Sequence, residues 1–77
     1  MMIINKIDAI NCLGNWSVAL WNEDLSTIKF YNGEDEISKP DDFPSDADIN
    51  ARQADMQTKA DTGDYKSVNE IIATYGA

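Results

Sequence analysis

The sequence of 77 residues contains no histidine and only one cysteine, Cys12. Histidine is the commonest general base near neutral pH and the commonest metal ligand, so the usual partner of a catalytic cysteine and the usual zinc ligand are both missing. A single cysteine also excludes an internal disulfide. We therefore interpret Cys12 as a small buried hydrophobic residue, and we expect no enzymatic activity, no metal and no cofactor.

Long apolar runs are also missing. No segment approaches the roughly 20 residues that span a bilayer, and residues 1–5 lack the basic region and apolar stretch of a signal peptide. The hydrophobic fraction of 43% nevertheless suffices for a folded core. We expect a single small α+β domain over residues 1–77, cytoplasmic and without a membrane partner.

Basic residues are scarce, with six Lys and Arg against 14 Asp and Glu, which gives a net charge of −8. Residues 23–48 hold nine acids and two lysines, and so contribute −7. The acids are Glu23, Asp24, Glu34, Asp35, Glu36, Asp41, Asp42, Asp46 and Asp48. Such a surface repels nucleic-acid phosphates and favours basic protein partners. It also supports an alternative function, an acidic decoy that mimics nucleic acid and blocks a host DNA- or RNA-binding protein.

The acids of residues 41–48 offer the oxygen ligands that calcium prefers, but the EF-hand spacing of acids, glycine and distal glutamate is absent. The four glycines stand singly and form no phosphate-binding loop. We interpret the acids as a solvated face with helix-capping roles.

Apolar residues at spacings of four, three and three predict a first helix with one apolar stripe, formed by Ile3, Ile7, Ile10 and Leu13. Gly14 is a stop signal, because glycine tolerates the left-handed conformation at a helix C-terminus. A β-strand over residues 2–4 is the alternative, since β-branched residues lose rotamer freedom in a helix.

Apolar and polar residues then alternate over residues 16–21 and 27–31, which predicts an antiparallel two-stranded hairpin with a loop of about five residues, 22–26. The register that joins the apolar faces pairs Leu20 with Ile28 and Val18 with Phe30, and we expect these four side chains to pack against Ile7, Ile10, Ile71 and Ile72. Trp21 and Tyr31 fall on the second face, near opposite ends. They are either covered by a helix or exposed as an interface.

The C-terminal half predicts an extended acidic link over residues 34–45, in which Ile37 and Phe43 pack on the core, followed by one or two helices. Ser45 begins a capping pattern and a helix to about Asp61. The sequence Ser67-Val-Asn-Glu70 is a capping box, and apolar residues follow it at helical spacing: Val68, Ile71, Ile72 and Tyr75.

Four short segments of the chain form a recognisable series: Asp8-Ala9-Ile10, Trp16-Ser17-Val18, Pro44-Ser-Asp-Ala-Asp-Ile49 and Tyr65-Lys-Ser-Val-Asn-Glu70. In this order they resemble segments of small tail-region proteins of double-stranded DNA phages, of the XkdW-like kind. The chain departs from the pattern where Phe30-Tyr31 replaces a frequent Trp and where Gly63 interrupts the C-terminal helix. The resemblance implies a helix–hairpin–helix fold and a non-enzymatic virion or tail accessory protein, located in the host cytoplasm or the virion.

A domain this small gains stability from association. We expect a homo-oligomer, a two-fold dimer built around Trp21, Tyr31 or an edge of the hairpin, with the acidic link outside the contact. Further partners would be phage structural proteins or a basic protein, and not nucleic acid.

Overall fold

Helices flank a small antiparallel sheet in the computed structural model, which describes residues 2–76. The elements are α1 (Lys6–Leu13), β1 (Val18–Trp21), β2 (Asp24–Asn32), β3 (Asp35–Ile37), α2 (Asp46–Thr62) and α3 (Val68–Ala73). The strands lie in the order β1-β2-β3. The predicted α+β class and the order of helix, hairpin and C-terminal helices are confirmed, and the sheet gains a strand that the sequence analysis does not predict.

The residues before α1 are neither a helix nor a strand. The Gln57 side chain accepts a hydrogen bond from the Ile4 N–H at 2.9 Å and donates one to the Met2 carbonyl at 2.9 Å. The Gln53 side-chain amide donates to the Ile4 carbonyl at 3.0 Å. Ile4 is consequently buried at 3% exposure, whereas Ile3 is 61% exposed. The prediction that Ile3 belongs to a helical apolar stripe is therefore wrong.

Helix α1 begins at Lys6, where the Asp8 carboxylate accepts a hydrogen bond from the Asn5 N–H at 2.9 Å. It ends before Gly14, as predicted, but the φ of Gly14 is 169°, which is extended rather than left-handed. A Cβ atom on Gly14 would lie 2.6 Å from the Trp16 indole ring. Glycine is needed here because Trp16 packs against the backbone, and not for its left-handed freedom.

The hairpin turn is tighter than predicted. It consists of Asn22 and Glu23, both with positive φ (53° and 60°), and residues 24–26 already belong to β2. Paired positive φ angles suit the right-handed twist of a two-residue hairpin. The Glu23 carboxylate also accepts a hydrogen bond from the Lys6 N–H at 2.8 Å, so the hairpin tip satisfies an otherwise unpaired donor at the start of α1.

The hairpin register is partly as predicted. The paired residues are Val18 with Phe30, Ala19 with Lys29, and Trp21 with Asp24. The pairing shifts between Ala19 and Trp21, which removes the predicted pair of Leu20 with Ile28. At the shift the Thr27 hydroxyl accepts from the Trp21 N–H at 3.0 Å and donates to the Asp24 carbonyl at 2.6 Å. The side chain of Thr27 thus takes the place of a regular ladder contact.

Strand β3 follows a second tight turn, at which Gly33 has a φ of +67° that favours glycine. It pairs Ile37 with Phe30. Because β3 is an edge strand, Ile37 keeps 43% of its surface exposed, and the prediction that it packs in the core is wrong. The acidic link accordingly covers residues 38–45 rather than 34–45.

The core contains residues from the segment before α1, from α1, β2 and the acidic link, and from α2 and α3. Its buried residues are Ile4, Ala9, Ile10, Phe30, Phe43, Ile49, Met56 and Ile71. The Phe43 ring lies edge-to-face on Phe30 at 4.7 Å and on Trp16 at 5.2 Å, which confirms its predicted packing role. Among the other residues predicted for the core, Val18, Ile28, Ile7 and Ile72 are only partly buried against this cluster. Leu20 is half-buried outside the cluster, so its predicted place in the core is wrong.

The two C-terminal helices begin where their caps predict. The Ser45 hydroxyl accepts from the Asp48 N–H at 3.2 Å at the start of α2, and the Ser67 hydroxyl accepts from the Glu70 N–H at 3.3 Å at the start of α3. Both contacts satisfy helix N–H groups that have no intrahelical partner. α2 ends at Thr62, one residue beyond the predicted end.

Candidate functional site

The first candidate surface is the turn end of the hairpin around Trp21. Trp21 pairs with Asp24 beside the turn and keeps 52% of its surface exposed. Asp24 accepts hydrogen bonds from the hydroxyl and the N–H of Ser26 at 2.7 and 3.0 Å, which hold the pKa of the Asp24 carboxyl below its usual value. The turn is therefore an ordered platform that presents an exposed aromatic ring, the residue type enriched at interface centres.

Tyr31 lies near the other end of β2. It pairs with Glu36 of β3, and its N–H donates to the Ser17 carbonyl at 2.9 Å. The ring is half-buried, and Glu36 forms an ion pair with Lys29 at 3.6 Å beside it. Seven positions of β2 separate Tyr31 from the partner of Trp21, so the two aromatic residues do not form one patch.

The second candidate surface is a groove of about 320 Å³, which the sequence analysis does not identify. Its walls come from the end of α1, from α2 and from the segment after α3: Leu13, Asp48, Ala51, Arg52, Asp55 and Tyr75. The Arg52 guanidinium lies 4.3 Å from the centre of the Tyr75 ring, and the Lys59 ammonium lies 5.1 Å from it. Both are cation–π contacts.

Hydrogen bonds fix the polar atoms of this groove. The Tyr75 hydroxyl donates to the Asp55 carboxylate, and an Arg52 N–H donates to the Cys12 sulfur at 3.2 Å. Cys12 is half-buried, so its interpretation as a buried hydrophobic residue holds only in part. In the sequence, the spacing of three between Arg52 and Asp55 indicates that both side chains lie on the same side of α2. No local pattern connects either residue to Tyr75.

The Tyr75 hydroxyl is the group of this groove whose pKa is shifted. Partial burial, together with the hydrogen bond to Asp55, raises the pKa of the Tyr75 hydroxyl well above its ordinary value of about 10. Tyr75 is therefore protonated at neutral pH and acts as a hydrogen-bond donor, not as a base. The groove joins α3 to α2.

Tyr75 gives a testable pH dependence. Its raised pKa means that folding favours the protonated phenol, so its contribution to stability is complete below about pH 10 and is lost as the pH rises through the folded-state pKa. We expect Tyr75→Phe to remove the latest part of the absorbance change at 295 nm in an alkaline titration. A titration curve unchanged in its final part would contradict this assignment.

Residues 2–76 contain neither a metal-binding cluster nor a membrane-spanning helix. In that part of the chain no group of three or more Cys, Asp or Glu side chains is arranged to hold a metal ion. Nor does the described part contain a helix with the length and apolarity needed to cross a membrane.

No protein-family model, curated protein or solved structure matches the chain.

Proposed function

We propose that the protein is a non-enzymatic accessory protein of a phage or phage-like particle, and that it acts by protein–protein contact during virion or tail assembly. The exposure of Trp21 on an ordered turn is the observation that carries the contact function. The proposal of a phage or phage-like particle is supported by the sequence segments that resemble XkdW-like proteins.

An exposed tryptophan supports contact because its large apolar ring gains most from leaving water. Full burial of a large apolar side chain is worth about 1.5–3 kcal/mol, and tryptophan is enriched among the residues that dominate binding energy. The turn beneath Trp21 is held by Thr27 and by Glu23, so little order must be created on binding. A rigid platform with an exposed ring suits a docking role.

The groove supports the non-enzymatic part of the proposal. Arg52 is stacked on Tyr75 and bonded to Cys12, and Tyr75 is bonded to Asp55. These groups satisfy one another and stabilise the attachment of α3, which accounts for them without a reaction.

The acidic decoy has less support, because the nine exposed acids of residues 23–48 are distributed over four separate segments: the hairpin turn with the start of β2, β3 with the turn before it, the acidic link, and the first turn of α2. A phosphate mimic requires carboxylates spaced regularly along one face, as phosphates are along a strand. We therefore favour the accessory function.

The test is genetic and structural. The gene is deleted from the element that encodes it and restored as wild type, as Trp21→Ser, or as Ile3→Ser, a matched control because Ile3 is equally an exposed apolar residue. We expect the deletion and Trp21→Ser to lower the yield of complete particles, counted by electron microscopy, while Ile3→Ser restores it. Normal particle yield in the deletion strain would contradict the proposal.

A further inference from the structure

We propose that a second copy of the chain pairs with β1, so that the two sheets join into one continuous antiparallel sheet around a two-fold axis. The inference rests on the proposed contact function, for which it names the surface and the partner. The proposed contact lies at the β1 edge of the sheet, and the opposite edge, β3, serves as the control.

The outer side of β1 carries backbone groups suited to strand addition. The Ser17 carbonyl accepts from the Tyr31 N–H at 2.9 Å, so Ser17 directs its backbone groups toward β2. Backbone direction alternates along an antiparallel strand. Ala19 therefore also faces β2, and the N–H and C=O groups of Val18 and Leu20 point away from the sheet. Since β1 is an edge strand, these groups are open to another strand.

The two edges of the sheet differ in charge, and this difference favours β1 over β3 as the edge at which two copies pair. The edge at β3 carries Glu34, Asp35 and Glu36 in succession, so two copies of it would place like charges opposite one another. Short, charged edge strands are a common protection against pairing. The edge at β1, residues 16–22, carries no charge in a chain of net charge −8. It is the edge on which two acidic copies can meet.

A second copy fits β1 in one particular register. If the axis passes beside Ala19, the outward-facing Val18 of one copy bonds to Leu20 of the other, and every residue of β1 finds a partner. The remaining pair is Ser17 with Trp21, because β1 ends at Trp21 and the chain turns at Asn22 and Glu23. No like charges meet, and the small Ser17 side chain leaves room for the exposed ring of Trp21.

This register predicts a disulfide between two copies. Ala19 would face Ala19 in a pair without backbone hydrogen bonds, where the Cα atoms are about 4.5 Å apart, within the range of about 4.4–6.8 Å that a disulfide spans. We expect Cys12→Ser/Ala19→Cys to form a covalent dimer under mild oxidation. The matched control is Cys12→Ser/Asp35→Cys, since Asp35 on β3 also directs its backbone toward β2; it should remain a monomer on a non-reducing gel.

A second measurement tests the association without a cross-link. Sedimentation equilibrium should show a dimer for the wild type and for Ile37→Lys, whereas Trp21→Lys should raise the dissociation constant about tenfold or more. Both variants add the same charge at an exposed apolar residue, one at each edge, and circular dichroism confirms that each is folded. A monomeric wild type at high micromolar concentration, or equal cross-linking of the Ala19 and Asp35 variants, overturns the inference. The proposed contact function would survive that result, because β1 would remain open to a strand from another protein.

Discussion

Phe30→Ala is expected to lower the free energy of unfolding by about 3–5 kcal/mol. Phe30 is 6% exposed, lies in the central strand and packs edge-to-face on Phe43 at 4.7 Å. Whole domains are stable by only about 5–15 kcal/mol, and a domain of 77 residues has a small core. The substitution should therefore leave the protein largely unfolded at room temperature, as measured by urea denaturation followed by circular dichroism.

Ile37→Ala is the matched control for Phe30→Ala. Ile37 pairs directly with Phe30 on the neighbouring strand but is 43% exposed, so its truncation should cost about 1 kcal/mol or less. If the two variants were equally destabilised, or if Phe30→Ala melted with the wild type, the buried face of the sheet would have to be assigned differently.

The parts of the fold that sequence reasoning predicts correctly depend on neighbouring residues. The caps at Ser45 and Ser67 need only a hydroxyl and an N–H three residues later. The pairing of Val18 with Phe30 follows from alternation, because a shift by one residue would expose every apolar side chain of the strand.

Two of the predictions that fail do so for different reasons. Ile4 is buried instead of Ile3 because two glutamines of α2, 49 and 53 residues away, bind the backbone of Ile4. Strand β3 contains two acids, which are depleted in strands. It forms because Gly33 turns the chain back onto β2. No local pattern indicates the burial of Ile4, whereas Asn32-Gly33 is a local hairpin signal that the acids following it outweighed in the sequence analysis.

Of the two candidate surfaces, the sequence identifies the one around Trp21 and misses the groove. Trp21 is identified by alternation as a residue of the second face, and the structure adds that half of its surface is exposed. The groove brings together residues up to 62 positions apart, Leu13 and Tyr75, and it forms because α1 and the segment after α3 both pack beside α2. A long-range groove of this kind has no signature in one sequence.

Weakening the packing of α3 on the rest of the protein is expected to lower the free energy of unfolding strongly. A helix of six residues is too short to be stable alone, because isolated helices below about 12–15 residues are marginal in water. Ile71 is the fully buried residue of α3. We therefore expect Ile71→Ala to lower the free energy of unfolding by about 2–5 kcal/mol, measured by urea denaturation.

The adjacent Ile72 provides the control, since it has the same side chain on the same helix but is only half-buried. Ile72→Ala should cost about 1 kcal/mol. Neighbouring residues of a helix point about 100° apart, so the reverse order of effects would mean that α3 presents a different face to α2. The late part of the tyrosine titration gives a second readout: Ile71→Ala should abolish it if α3 detaches, because Tyr75 would then lose Asp55 and its burial. Ile72→Ala should preserve it.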